Sequence, residues 1–312
     1  MFVARRPRPC GTGVLVLARL LLWAGLVGPV AAQVEVGVRE DLAFDRPEAW
    51  AMAYLGAASL FAGLGPAEAI EAGTVRLGAE FGHIPHVSTE RRRVGFDGLK
   101  LEDLNKTPVF GALRLQLGLP ADFALELGWT PPVEIGGARP IGMHGIALER
   151  PLWQSEHWTL GARIYHQRGR VRGDITCDRA TAAQPIGSPG NPFGCRAPSR
   201  DVFHLRQHGA ELGLRWRPAH TAVEPFAALA LTRMRPRTQL ESEVFNVIDR
   251  SLLTTRGNIR TLTLGASYRL RPAWEVSGGL AWTPLDVRRP PERQKASDDL
   301  YSLRVMLRRD LR

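Results

Sequence analysis

Lysine is almost missing from this chain of 312 residues: Lys100, Lys106 and Lys295 stand against 38 arginines. The formal net charge is +10, but no lysine-rich run accompanies it, and nucleic acid is not expected as a partner. Cysteine is equally scarce, with Cys10, Cys177 and Cys195 the only three, too few for a thiolate metal centre. Past residue 72 no run is long or apolar enough for a transmembrane helix, which needs roughly 20 such residues. No G-x-S-x-G elbow, P-loop or H-E-x-x-H motif occurs. No catalytic residue, metal site or cofactor is therefore assigned. His83 with His86, and His204 with His208 and His166, lack a carboxylate or thiolate at fitting spacing.

What is present begins at the N-terminus. Residues 1–32 carry Arg5, Arg6, Arg8 and Arg19 without an acidic partner, an apolar stretch near Val14 to Val27, and small residues at Val30 and Ala32. That pattern predicts a secretory signal cleaved before Gln33. Export removes Cys10, and an oxidising compartment favours a disulfide between Cys177 and Cys195 in a polar, Pro- and Gly-rich loop.

Alternation dominates the remainder. In "TLTLGASYRLRPAWEVSGGLAWTPL", residues 261–285, every second position from Leu262 is mostly apolar and the intervening ones are small or polar. A period of two is that of a β-strand, and Pro272 marks a turn. Similar stretches predict ten strands at roughly 74–82, 109–118, 122–130, 141–149, 157–167, 205–216, 222–233, 260–270, 274–282 and 300–309. "VEPFAALAL" leaves the phase of the seventh open, and Pro225 argues against regular pairing there. Tight connections at 119–121, 150–152, 217–219 and 271–273 alternate with longer polar ones at 83–108, 131–140, 168–204, 234–259 and 283–299. Trp158, Trp216 and Trp274 fall at the strand ends beside short turns, and Trp129 and Trp282 at the opposite ends, as two interfacial girdles would.

Short turns, long loops and aromatic girdles together resemble the Gram-negative outer-membrane β-barrel class over about residues 73–312. The resemblance implies an all-β, antiparallel up-and-down transmembrane barrel of about ten strands, with short turns in the periplasm. Outer-membrane lipids, lipopolysaccharide and the assembly machinery are its implied partners. The chain ends in Arg312 rather than the aromatic residue common in that class.

With the apolar face toward lipid, Arg76, Glu80, Arg114, Gln116, Glu126, Glu149, Arg163, Tyr165, Gln167, Glu211, Arg215, Arg269, Glu275, Arg304 and Arg308 line the lumen. Closing loops at 119–121 and 271–273 sets Leu117 opposite Phe123, Arg114 opposite Glu126, Leu270 beside Trp274 and Arg269 beside Glu275. On the same phase, Thr263→Arg should be tolerated better than Leu264→Arg. Near-balanced inward charge in a ten-stranded ring predicts a narrow or blocked lumen.

Residues 33–72 contain a predicted helix from an Asp45 N-cap, with Pro47 in its first turn, to about Gly63–Pro66. It could pack at the periplasmic mouth or on the membrane surface, plug the lumen, or span the membrane. Arg91, Arg92 and Arg93 could contact the phosphates of lipopolysaccharide, although a solvated charged loop is the favoured reading. The functional expectation is narrow or gated passage of small solutes, with a non-conducting barrel for surface binding or envelope structure as the alternative. A hydrolase using Asp97, Asp103 and the histidines is third.

Overall fold

A computed structural model describes residues 34–291 and 293–311; the expected signal, residues 1–32, and Arg312 lie outside them. Ten antiparallel strands close into one ring: β1 (Val75–His83), β2 (Val109–Gly118), β3 (Ala124–Thr130), β4 (Arg139–Gln154), β5 (Trp158–Gly173), β6 (Asp201–Trp216), β7 (Val223–Met234), β8 (Gly257–Arg271), β9 (Trp274–Thr283) and β10 (Leu300–Leu311). Each pairs with its neighbour in sequence, and β10 pairs with β1, Val305 opposite Phe81. Closure gives every strand of the ring two neighbours.

Alternation works as expected along most strands. Leu77, Leu113, Leu127, Ile164, Leu212, Leu264 and Leu303 are exposed on the outside, whereas the charged positions between them are buried. An apolar exterior around a charged interior suits lipid and opposes water. The protein is an outer-membrane β-barrel.

Several local expectations change. β4, β5 and β6 each run 16 residues, beyond the roughly 9–11 that cross a membrane. Their external extensions carry Arg168, Arg170, Arg172 and Arg206 on the outer face, which interrupts the apolar alternation on which the shorter ranges rested. The turn expected at 150–152 lies instead at 155–157, where the Ser155 N–H donates to the Trp158 carbonyl at 2.8 Å. Pro151 is absorbed by a register irregularity before Trp153, a place that tolerates its missing N–H.

The first hairpin is shifted by one residue. Leu119 N–H donates to Phe123 O at 2.7 Å, and Ala121 and Asp122 adopt φ of 60° and 61°, so the loop is 120–122. Leu117 faces Leu125 and Gln116 faces Glu126. Pair partners move by two, which preserves the inward and outward faces. In the last hairpin Arg269 does face Glu275, but an irregularity after it sets Arg271, not Leu270, opposite Trp274. Strand β7 pairs through Pro225, opposite Ala266; its alanines Ala228 and Ala230 face inward and Leu229 and Leu231 outward.

Among the described residues the one longer helix, α1 (Pro47–Ala58), is buried nearly all round, as an amphipathic surface helix would not be. Arg46, not Asp45, is its N-cap, while Asp45 accepts from Arg288 Nε at 2.6 Å. Trp50 and Tyr54 pack among Ile84, Val87, Leu104, Leu285 and Val287 of the long loops and Phe203, Met234 and Leu300 at the external strand ends. Residues 39–42 run parallel to 252–255 in the connection between β7 and β8. The apolar core therefore sits at the external end.

Candidate functional site: a filled lumen beneath an apolar pocket

Below α1 the chain descends through the ring as residues 59–72 and enters β1. α1 ends at Ala58 with Ser59 as its C-cap, short of the expected end at Gly63–Pro66, and Gly63, Gly65 and Pro66 further on are poorly suited to a helix interior. The freed backbone groups find partners on the wall. Arg304 donates to the carbonyls of Leu60 at 2.5 Å, Ala57 at 3.1 Å and Ala58 at 3.3 Å. Phe61 N–H donates to Gln167 Oε1 at 3.0 Å and Gly63 N–H to Glu211 Oε2 at 3.1 Å. Ala62 O accepts from Arg114 at 2.9 Å and Leu64 O from Arg308 at 3.2 Å. At the lower end Gly73 N–H reaches Gly118 O at 2.9 Å.

The wall charges neutralise one another around this segment. Arg114 binds Glu80 through Nε at 2.7 Å and Glu126 at 3.1 Å. Arg163 binds Glu126 and also Glu149, the latter at 3.1 Å, while Gln116 donates to Glu149. Glu149 and Glu211 both face Arg163 in register. Phe61 lies within this ring, its centroid 4.4 Å from the Arg114 guanidinium and 4.7 Å from that of Arg163. A Cβ on Gly128 or Gly145 would come within 2.4 or 2.6 Å of the Phe61 ring, so glycine at those positions makes the space it occupies. Nearer the periplasm, Arg215 binds Glu68 at 2.6 Å and Glu224 at 3.2 Å, and Arg308 binds Glu275 at 3.0 Å.

Glu80, Arg114, Gln116, Glu126, Glu149, Arg163, Tyr165, Gln167, Glu211, Arg215, Glu275 and Arg304 are buried inside the barrel. Tyr165 reaches Thr232 at 2.6 Å, oxygen to oxygen. Arg76 and Arg308 are half-buried toward the rim, where Arg76 binds Asp310 at 2.5 Å. Arg269 is exposed at the periplasmic rim, where it lines a small cleft with Arg76, Glu275, Arg308 and Asp310. Trp129, Trp158, Trp216 and Trp282 are exposed on the outer wall, Trp274 is half-buried, and Trp158 stacks on Trp216 at 6.1 Å. Trp153 joins the periplasmic girdle from the end of β4 and escaped the sequence reading because it was assigned to a turn. Glu68 and Phe61 were also missed, for no periodicity marks a chain threaded through a ring.

The external loops are tied down. Cys177 and Cys195 form a disulfide with Cα atoms 5.7 Å apart. Arg91 binds Asp298 at 3.2 Å and lies 5.5 Å from the Trp50 ring. Arg92 meets Asp103 at 3.7 Å, and Arg93 contacts the Leu99 carbonyl at 3.5 Å. Asp97 binds Arg46 at 3.3 Å and Asp103 binds Lys106 at 2.7 Å. Although burial opposes its charge, Asp103 and Asp174 hold the Lys106 ammonium above its ordinary pKa. Burial pushes the Glu102 carboxyl up to about 8 despite Lys100 beside it. Among the described residues His86 meets Asn105 at 3.0 Å, and no carboxylate is hydrogen-bonded to a histidine, so Asp97 and Asp103 form no acid–histidine pair.

One opening remains. β3 ends at Thr130, before Pro131 and Pro132, so residues 109–112 of β2 pair only with β1. Beside that notch lies a pocket of about 350 Å³. Leu55, Ser59, Phe110, Ala112 and Met143 line it from within, and Phe81, Gly111 and Leu113 from the outer face. Its lining thus belongs to both faces of the wall.

No known family model matches this chain, and no curated protein matches its sequence. Among solved structures it is similar to Neisserial surface protein A, at 8% identity over 76% of this chain and 97% of that one, with a TM-score of 0.31. It is similar to the outer membrane protease OmpT from Escherichia coli, at 9% identity over 77% and 94%, with a TM-score of 0.36. The Pseudomonas putida toluene transporter TodX shows 16% identity over 88% and 78%, with a TM-score of 0.31. These proteins differ in activity, and the likeness goes no further than the barrel.

Proposed function

We propose that this outer-membrane barrel takes up a small apolar solute beneath its external loops and admits it through the side of the wall between β2 and β3. Support comes from the pocket beside the notch, which lies where β2 lacks its β3 partner and is lined from both faces of the barrel. Its volume, about 350 Å³, falls in the range of small-molecule sites, roughly 300–1,000 Å³. Diffusion of ions down the axis is closed by residues 59–72 and the paired charges around them. The filled lumen equally favours a non-conducting barrel that serves surface binding or envelope structure, and the same experiment separates the two.

Gly111→Trp sets a large side chain across the notch, and a Cβ there meets nothing nearer than 3.7 Å. Cells carrying the parent protein are expected to take up labelled naphthalene faster than cells carrying the variant at equal barrel abundance. Equal uptake would overturn the side route and leave the non-conducting reading. Planar-bilayer recordings of the intact protein should show no discrete steps; steps would overturn the closed lumen.

A further inference from the structure

Away from the pocket and the lumen, the outer wall of β4 to β8 carries a second surface. Register places its outward residues in rows across five strands. One row reads Leu148, Ile164, Ala210, Leu231 and Arg260, each opposite the next. The next row toward the loops reads Ile146, His166, His208, Arg233 and Asn258. Above them His144 faces Arg168, and Arg168 faces Arg206. Because Ala210 is small between Ile164 and Leu231, which are 59% and 54% exposed, the wall is hollowed into a depression of about 1040 Å³ shared by both lower rows.

Its charge is one-sided. Every acid on these five strands, Glu149, Asp201, Glu211 and Glu224, occupies an inward position. Among the described residues no carboxylate lies within 4.0 Å of Arg168, Arg206, Arg233 or Arg260, whereas Arg168 Nε donates to His144 at 2.7 Å. Like charges set directly across a sheet oppose folding, and Arg168 beside Arg206 is such a pair. Height matters too. From Trp158 in the periplasmic girdle to Arg168 the strand covers about 33 Å at ~3.3 Å per residue, and tilt reduces this to about 25 Å, the height of the apolar band. Arg168 and its neighbour Arg206 therefore stand where the outer-leaflet headgroups lie.

We propose that this depression binds one molecule of lipopolysaccharide: an acyl chain lies over Ala210, and the phosphates of its glucosamine headgroup are held by Arg168, Arg206 and Arg233. A guanidinium fork matches phosphate oxygens, and three of them around a hollow select a bisphosphorylated headgroup over a bare acyl surface. The loop arginines once expected to do this, Arg91 to Arg93, are engaged within the external cap.

The test is native mass spectrometry of the full barrel in detergent, titrated with bisphosphorylated hexa-acyl lipid A, the same lipid dephosphorylated, phosphatidylglycerol, or inorganic phosphate. Parent protein is expected to retain one lipid A. Arg168→Gln/Arg206→Gln/Arg233→Gln should weaken retention at least about tenfold, as should dephosphorylation. Ala210→Trp fills the hollow from an exposed position without altering charge, and is expected to reduce lipid A retention as well. Heat-sensitive gel mobility verifies that each variant is folded. Equal retention by both variants overturns the proposal. So does equal retention of phosphatidylglycerol, which would mark an ordinary anionic annulus, or competition by inorganic phosphate alone, which would mark a free-phosphate site.

Discussion

Arg304, on the last strand of the barrel, donates to the carbonyl of Leu60 at 2.5 Å across 244 residues of sequence. The same guanidinium reaches the last carbonyls of α1, at Ala57 and Ala58, and so ends the helix as a terminal cation does. Replacing Arg304 by Met keeps most of the volume and removes every donor. The expected loss is ~3–5 kcal/mol, because buried acceptors and Glu80 are left without it. Urea titration of the folded band on unheated gels measures this, and an unchanged midpoint would show that the contact does not hold the segment.

Phe61 fills the centre of the charged ring. Phe61→Ala should cost ~3–5 kcal/mol through the cavity it opens, with the two cation–π contacts included in that figure. Phe61→Leu should recover much of it, since apolar volume returns. If alanine and leucine behave alike in the same titration, the ring packing is not what stabilises residues 59–72.

Leu264 is 56% exposed toward lipid and Thr263 3% exposed toward the interior. Leu264→Arg should cost ~2–4 kcal/mol near mid-membrane. In the filled interior Thr263→Arg adds bulk and an unpaired charge to a packed site, so it should also be costly, ~1–3 kcal/mol for overpacking alone. The two are told apart by bilayer thickness: folding yield of Leu264→Arg should vary between short- and long-chain lipids, that of Thr263→Arg much less.

Glu102 gives the cap a pH dependence. Burial raises its pKa to about 8, so the folded loop keeps a proton that the unfolded chain has released. Stability of the loop 84–108 is then greatest near the ordinary carboxyl range and falls as pH rises toward about 8. Limited proteolysis of this loop should accelerate between pH 5 and 9, and Glu102→Gln should flatten the profile. A cut rate that slows with rising pH in the parent would reverse the sign and reject the assignment.

Reduction of Cys177–Cys195 should act locally. A closed loop of this size stabilises by ~3 kcal/mol at most through the unfolded chain, and the cysteines lie in the 174–200 connection outside every barrel ladder. Reduced protein should keep its heat-sensitive mobility while the loop becomes open to protease. Loss of the folded band would mean that the loop supports the ring.

Ten strands were legible because lipid outside and charge inside impose a period of two, which sequence displays directly. Strand β7 resisted because Phe226, Ala228 and Ala230 on its inward face pack on a filled interior, so both faces read as apolar there. The external lengths of β4 to β6 were hidden for the opposite reason: once a strand leaves lipid, Arg168 and Arg170 are as welcome outside as Leu160 is within the bilayer. The course of residues 59–72 has no period at all. Its signal lay on the wall, in Gly128 and Gly145, two inward glycines whose missing side chains are explained only by Phe61.

Residues 39–42 are held by the external connection, while residues 59–72 run down the axis to the periplasmic start of β1. A helix and a small sheet sit above the constriction, so a finished ring could receive this segment only by threading it unfolded. Wrapping the wall around a chain already in position avoids that threading, like a barrel coopered around its spindle. The β1–β10 ladder is then the seam that seals the assembly, and residues 59–72 serve as the template on which the arginines and glutamates of the staves find their places.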